Sequence, residues 1–219
     1  MKAVRNHNWD LTPKQAIDLQ KTLAAEIVLN DEFADPKFVA GVDVGFEDKG
    51  KIARAAVAVL NYATLEPVEH AIARCPTAFP YIPGLLSFRE IPVVLLALKK
   101  ISIQPDVILC DGQGIAHPRR LGIASHLGLL LNCACIGVAK TRLVGTHNCV
   151  PEKKGAYSPL LYKDEQVGVV LRTRDRIKPL FISPGHKISI DPCIDIVMAC
   201  ITRYRLPETT RHAHRLASG

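Results

Sequence analysis

Three strand-type runs follow one another early in the chain, and they constrain its fold more than any other feature. Phe38 to Phe46, Ile52 to Leu60 and Val68 to Arg74 are apolar or alternate apolar with polar residues. Glu-Asp-Lys-Gly and Asn-Tyr-Ala-Thr-Leu-Glu-Pro separate them, both polar and short enough for antiparallel pairing. Ahead of them, Thr12 before Pro13 reads as an N-cap with proline at the first helical position. Ala16, Leu19, Leu23 and Ile27 then recur at helical spacing, predicting a helix from Pro13 to Leu29.

After Pro83 the pattern alternates. Leu85 to Ile101 reads as a helix interrupted by Pro92, and Val107 to Asp111 as a buried strand. Leu121 to Leu131 reads as a helix and Cys135 to Lys140 as a buried strand. Val167 to Thr173 and Leu180 to Ser183 read as further strands, and Pro192 to Tyr204 as a last helix. Antiparallel strands followed by alternating helices and strands predict an α/β domain with a mixed sheet, its first strand central. No Gly/Ser/Pro-rich or charged linker divides the 219 residues, so one domain over 1–219 is expected.

Composition narrows the class. With 48% hydrophobic and 22% charged residues the chain is globular rather than disordered. A net charge of +7 favours a polyanionic partner through phosphate neutralisation, although a generic basic surface fits the charge equally. Seven cysteines without a Cys-x-x-Cys pair read as free core thiols of a reducing cytoplasm. The first residues lack the apolar stretch of a secretory signal, and no run is long enough to span a bilayer. A cytoplasmic monomer without membrane contact is expected.

Three carboxylates then stand out. Asp43 lies among the valines of Phe-Val-Ala-Gly-Val-Asp-Val-Gly-Phe, where desolvating it needs a compensating partner. In the strand reading Gly41 and Gly45 share its face and leave room for a ligand to approach. Asp111 ends an apolar strand ahead of Gly112, at the end where α/β sheets collect ligands, but an ordinary Asp-Gly turn reads the same. Glu90 can close a capping box with Ser87, or stand free just before a helix starting at Pro92. Local sequence does not separate those two readings. Two or three carboxylates sharing Mg²⁺ suit phosphoryl chemistry, with one ion or two about 4 Å apart.

Six blocks occur in a fixed order: Gly-Val-Asp-Val-Gly-Phe at 41–46, PYIPGLLSFRE at 80–90, DGQGIAHPRRLGIASHLG at 111–128, IGVAK at 136–140, PLFISPGH at 179–186 and YRLPETTR at 204–211. Together they resemble the endonuclease V (deoxyinosine 3′-endonuclease) family from about Phe38 to His214. The resemblance implies a ribonuclease H-like fold. It implies hydrolysis of the second phosphodiester bond 3′ to a deaminated purine in DNA, leaving 3′-hydroxyl and 5′-phosphate ends. The cofactor implied is Mg²⁺, with Mn²⁺ as a substitute.

Carried onto this chain, the family's metal carboxylates fall on Asp43, Glu90 and Asp111. Lys140 and His214 complete the catalytic set, although His212 competes for the histidine position and a lysine ending a strand can simply snorkel. Pro80, Tyr81, Ile82 and Pro83 match the family's DNA wedge, where an aromatic ring stiffened by prolines stacks against an opened duplex. Alone, Tyr81 reads as a half-buried core tyrosine. Gly84, Leu86, Gly112, Gly122 and Ile123 match the walls of a pocket for the extruded base. Arg119 with Arg120, and the segment Ser183 to Lys187, read as further phosphate contacts. Arg172, Arg174, Arg176 and Lys178 read as a solvated edge-strand face. His117 and His126 read as structural. The alternatives are an inosine-specific endoribonuclease, including action on single strands, and a lesion-binding protein without nuclease activity.

Overall fold

The three predicted strands form as read. In the computed structural model, which describes all 219 residues, β1 spans Phe38–Glu47, β2 Ile52–Asn61 and β3 Pro67–Pro76, paired antiparallel in chain order. Strands β4 (Val107–Cys110) and β5 (Ala134–Ala139) then add in parallel beside β1. Beyond β5 lie β8 (Leu180–His186), β7 (Glu165–Leu171) and β6 (Tyr157–Tyr162), all antiparallel. One eight-stranded mixed sheet results, in the order β3-β2-β1-β4-β5-β8-β7-β6. The first strand is interior, flanked by β2 and β4.

Helices cover both faces. Strand side chains alternate between faces, so Val42, Val57, Ile108 and Cys135 form one core with Ile91 and Val94 of α2 (Leu86–Leu98) and Leu127 of α3 (Ile123–Leu131). Val39, Leu60, Leu109 and Ile136 form the other with Cys193 and Val197 of α4 (Ile190–Ala199). Burying each such aliphatic side chain contributes about 1.5–3 kcal/mol. Helix α5 (Glu208–Ser218) packs on this second face, against β1 and β2. Helix α1 (Pro13–Ala24) has Thr12 as N-cap in a capping box with Gln15, and lies against α3 through Leu23, Leu121 and Leu129. It ends five residues before the predicted Leu29.

Several expectations are corrected. Helix α2 begins at Leu86, so Ser87 and Glu90 both lie inside it; neither the capping box nor a start at Pro92 holds. The room expected above Gly41 and Gly45 is filled by α5. A β-carbon at Gly41 would stand 2.0 Å from the Thr209 carbonyl oxygen, and one at Gly45 2.4 Å from that of Ala217. Ser183 to Lys187 is no open loop: β8 runs through His186, buried from Ile182 onward. The arginines after Leu171 follow an interior strand rather than an edge. Arg172 there donates to the carbonyls of Pro151 and Val150. All seven cysteines are free, but only Cys110, Cys135, Cys193 and Cys200 are core thiols; Cys75 and Cys133 are half-buried and Cys149 is exposed.

Candidate active site

The site is built by strands of unequal length. Strand β4 stops at Cys110, which is paired with Val42, whereas β1 continues to Glu47. Asp43 is therefore the first β1 residue whose β4 flank is open. The chain leaving β4 begins with Asp111, whose amide donates to the Val42 carbonyl (3.3 Å). Parallel pairing thus brings two carboxylates together from positions 68 residues apart.

Asp43 is held from two sides. One oxygen accepts from the Val44 amide (2.8 Å) and the other faces His214 Nδ1 (2.7 Å). Burial and then the nearby Asp111 charge push its pKa up, while His214 and the Val44 amide oppose that rise. Asp111 pairs with the Lys140 ammonium, carried by the residue just past β5. The Lys140 carbonyl is in turn held by Arg205 Nη2 (3.2 Å), which also donates to the Pro179 carbonyl (2.7 Å). Ligand atoms of Asp43, Asp111 and His214 all lie within 4.8 Å of one another.

Glu90 reaches the cluster from α2, on the opposite face of the sheet, and stands outside that tightest group. It is buried, and burial followed by the charges of Asp43 and Asp111 pushes its pKa up to about 8. Three carboxylates that repel one another in a partly desolvated site make a donor set suited to a hard divalent cation. Asp43, Asp111 and His214 can hold one, with Glu90 buried close enough to feel both aspartates. His212 does not compete, because it turns toward Glu208 at 4.0 Å.

A cavity of about 340 Å³ adjoins this cluster, with Asp111 and Lys140 in its wall. All five predicted pocket residues, Gly84, Leu86, Gly112, Gly122 and Ile123, line it. Tyr81, Ile82 and Pro83 form its rim, and Pro80 does not take part. Tyr81 is 70% exposed, which excludes the core-tyrosine reading. The segment around it is anchored at both ends. Before it, Phe79 is buried and its carbonyl accepts from Arg89 Nη1 (2.9 Å). After it, the Gly84 carbonyl accepts from Gln20 Nε2 (3.0 Å), His117 Nε2 (3.0 Å) and Arg119 Nη2 (2.7 Å).

Arg119 is committed to that contact rather than free for phosphate, and Arg120 pairs with Glu165. His117 and His126 are buried and held neutral. Burial lowers His117 to about 4 and His126 to about 3, with Arg119 and His7 adding to the respective shifts. Sequence reasoning missed Gln20 and the helix that carries His214. The signal for Gln20 was a polar residue on the stripe between Ala16 and Leu23.

Comparisons with known proteins bear on the family and the fold. The Endonuclease V family model matches residues 21–215. A relative from Trichormus variabilis named endonuclease V is 56% identical over 219 residues, covering 100% of this chain and 99% of that protein. The crystal structure of endonuclease V from Streptomyces avermitilis superposes with a TM-score of 0.92 at 40% identity, covering 100% of this chain and 96% of that one. That of Ciona intestinalis endonuclease V, in complex with a 23mer DNA containing an inosine followed by a ribo-adenosine, superposes with a TM-score of 0.82 at 29% identity, covering 95% and 97%.

A mixed sheet that starts with three antiparallel strands, continues with two parallel ones and carries helices on both faces is a ribonuclease H-like fold, and the protein is a nuclease of that class. More narrowly, the chain belongs to the endonuclease V family.

Proposed function

We propose that the protein is a Mg²⁺-dependent endonuclease that recognises deoxyinosine in DNA. It hydrolyses the second phosphodiester bond on the 3′ side and leaves 3′-hydroxyl and 5′-phosphate ends. The observation that carries this reading is the adjacency of a walled cavity to a carboxylate cluster, with Asp111 and Lys140 belonging to both. Tyr81 stacks where the lesion base has left the duplex. The base enters the cavity, where backbone amides beside Gly112 and Gly122 bond the O6 of hypoxanthine.

Asp43, Asp111 and Glu90 hold the cation. A bound Mg²⁺ supplies Lewis-acid polarisation of the phosphate and acidifies water; Mn²⁺ can do the same. His214 keeps the Asp43 carboxylate oriented through its Nδ1 contact. Lys140 stands ready to neutralise charge that develops on the phosphate.

Replacing Asp43 with alanine tests the mechanism: nicking of an inosine-containing duplex in Mg²⁺ is expected to vanish while binding survives. Undiminished cleavage by that variant removes the proposal. A second reading, cleavage of inosine-bearing RNA, is favoured by the ribo-adenosine beside the inosine in the strand bound by the Ciona protein. Competition between inosine DNA and inosine RNA for one preparation separates the two. No helix is long and apolar enough to cross a membrane.

A further inference from the structure

One buried glutamine joins the two sides of the cavity. Gln20 on α1 is 1% exposed, the one polar side chain that this helix buries. Its Nε2 donates both to the Gly84 carbonyl (3.0 Å) and to the Leu121 carbonyl (3.1 Å), while its Oε1 accepts from Arg119 Nε. Gly84 follows the Tyr81 segment directly, and Leu121 precedes the pocket wall Gly122–Ile123. A single amide group therefore spans the gap between rim and wall.

The contact is reinforced at Gly84. That residue has φ +78°, a left-handed conformation that favours glycine, and its carbonyl faces Gln20. Two more donors meet the same oxygen, His117 Nε2 and Arg119 Nη2. The His117 tautomer is fixed by its partners: Nδ1 accepts from the Arg119 amide (3.2 Å), so Nε2 carries the proton. Four side-chain contacts on two carbonyls thus set one distance, and none of them touches Asp43 or Asp111.

We propose that Gln20 is a positioning residue for lesion selectivity. It fixes the separation between the Tyr81 segment and the Gly122 wall, and so the width available to an extruded purine. The role rests on the deoxyinosine reading above. Gln20 lies just outside residues 21–215 matched by the family model, on a helix that contributes nothing to the carboxylate cluster.

The test is a ratio. The affinities of the full chain for an inosine-containing duplex and for the same duplex undamaged are measured in chelator, for wild type, Gln20→Met and Arg119→Met. Methionine keeps the volume of Gln20 and removes its hydrogen bonds. The expected result is a fall of about tenfold in the inosine-to-undamaged ratio for Gln20→Met, with affinity for undamaged DNA within about twofold of wild type. Partial unfolding lowers both affinities together and leaves the ratio unmoved, so a purely structural role predicts no change. Arg119→Met deletes a second donor to the same carbonyl and is expected to lower the ratio too, which keeps the test open if Gln20→Met does not fold. A wild-type ratio well above one that both variants retain overturns the inference alone. A wild-type ratio near one overturns the deoxyinosine reading itself.

Discussion

Gly45 and Ala217 are in backbone contact so close that a β-carbon on Gly45 would stand 2.4 Å from the Ala217 carbonyl oxygen. Thr209 covers Gly41 in the same way, at 2.0 Å. These two approaches seat α5 on β1 and carry His214 to Asp43. Gly45→Ala is expected to push the helix outward, destabilise the fold by about 1–3 kcal/mol and lower nicking by more than the loss of folded protein explains. Thermal unfolding and initial nicking rates on the same preparation check it. Unchanged activity would show that the helix seat does not govern the site.

Lys140 pairs with Asp111, the carboxylate that the proposed divalent cation would also use. The pair is partly exposed, with side chains 38% and 14% accessible, so its loss is expected to cost at most about 1 kcal/mol of stability. Lys140→Met is expected to lower the nicking rate by about a hundredfold through lost charge stabilisation. Removing a competing cation should leave Mg²⁺ affinity equal or higher. Calorimetric titration of Mg²⁺ into the DNA-free variant decides the point, and weaker binding would refute the competition.

The two histidines of α5 should behave differently. His214 faces Asp43 at 2.7 Å, and His214→Ala is expected to reduce kcat about tenfold or more. His212 points to Glu208 instead, and His212→Ala is expected to stay within about twofold of wild type. Equal losses in the two variants would mean that the helix matters only as a whole.

Stability should fall in mild acid. His117 and His126 hold pKa values of about 4 and about 3 in the folded protein, against an ordinary value of 6.5. Protonation therefore favours the unfolded chain, because it binds more protons throughout that window. Stability from each is complete above pH 6.5 and drains as pH falls toward its folded value, at up to ~1.4 kcal/mol per pH unit. Denaturant unfolding at pH 5.0 to 6.5 should be shallower in pH for His117→Gln, which keeps a donor for Gly84 and cannot titrate. An unchanged slope would place the acid sensitivity elsewhere.

The first half of the fold was readable because each strand there is an apolar run closed by polar turns. The second half hid its elements behind turn-type residues. Ser183, Pro184 and Gly185 look like a loop, yet they sit in β8, where Ser183 pairs with Gly137 and Pro184 with Ile136 of β5, and the Gln113–Ile115 segment bonds to them as well. The Ser183 hydroxyl accepts from the Gly114 amide (2.8 Å), and the Pro184 carbonyl from the Ile115 amide (2.8 Å). Pro159 disguised β6 in the same way. Helix α5 escaped because Ala213 and Ala217, its buried apolar residues, are too small to form an evident apolar stripe, and the helix seats on Gly41 and Gly45 through the backbone of Thr209 and Ala217. Asp43 and Asp111 were visible as misplaced charges. Their meeting depends on parallel pairing of β1 with β4, which no local pattern encodes.

The tethers on either side of Tyr81 bear on the tempo of searching. Arg89 grips the Phe79 carbonyl and three side chains grip that of Gly84, so the intervening residues are already shaped before any duplex arrives. Little freedom remains to be lost on contact, so in the wedge role proposed for Tyr81 this segment would probe and release normal base pairs without a folding step at each stop. Where damaged bases are rare and sound ones abundant, that economy of motion favours rapid rejection over tight holding.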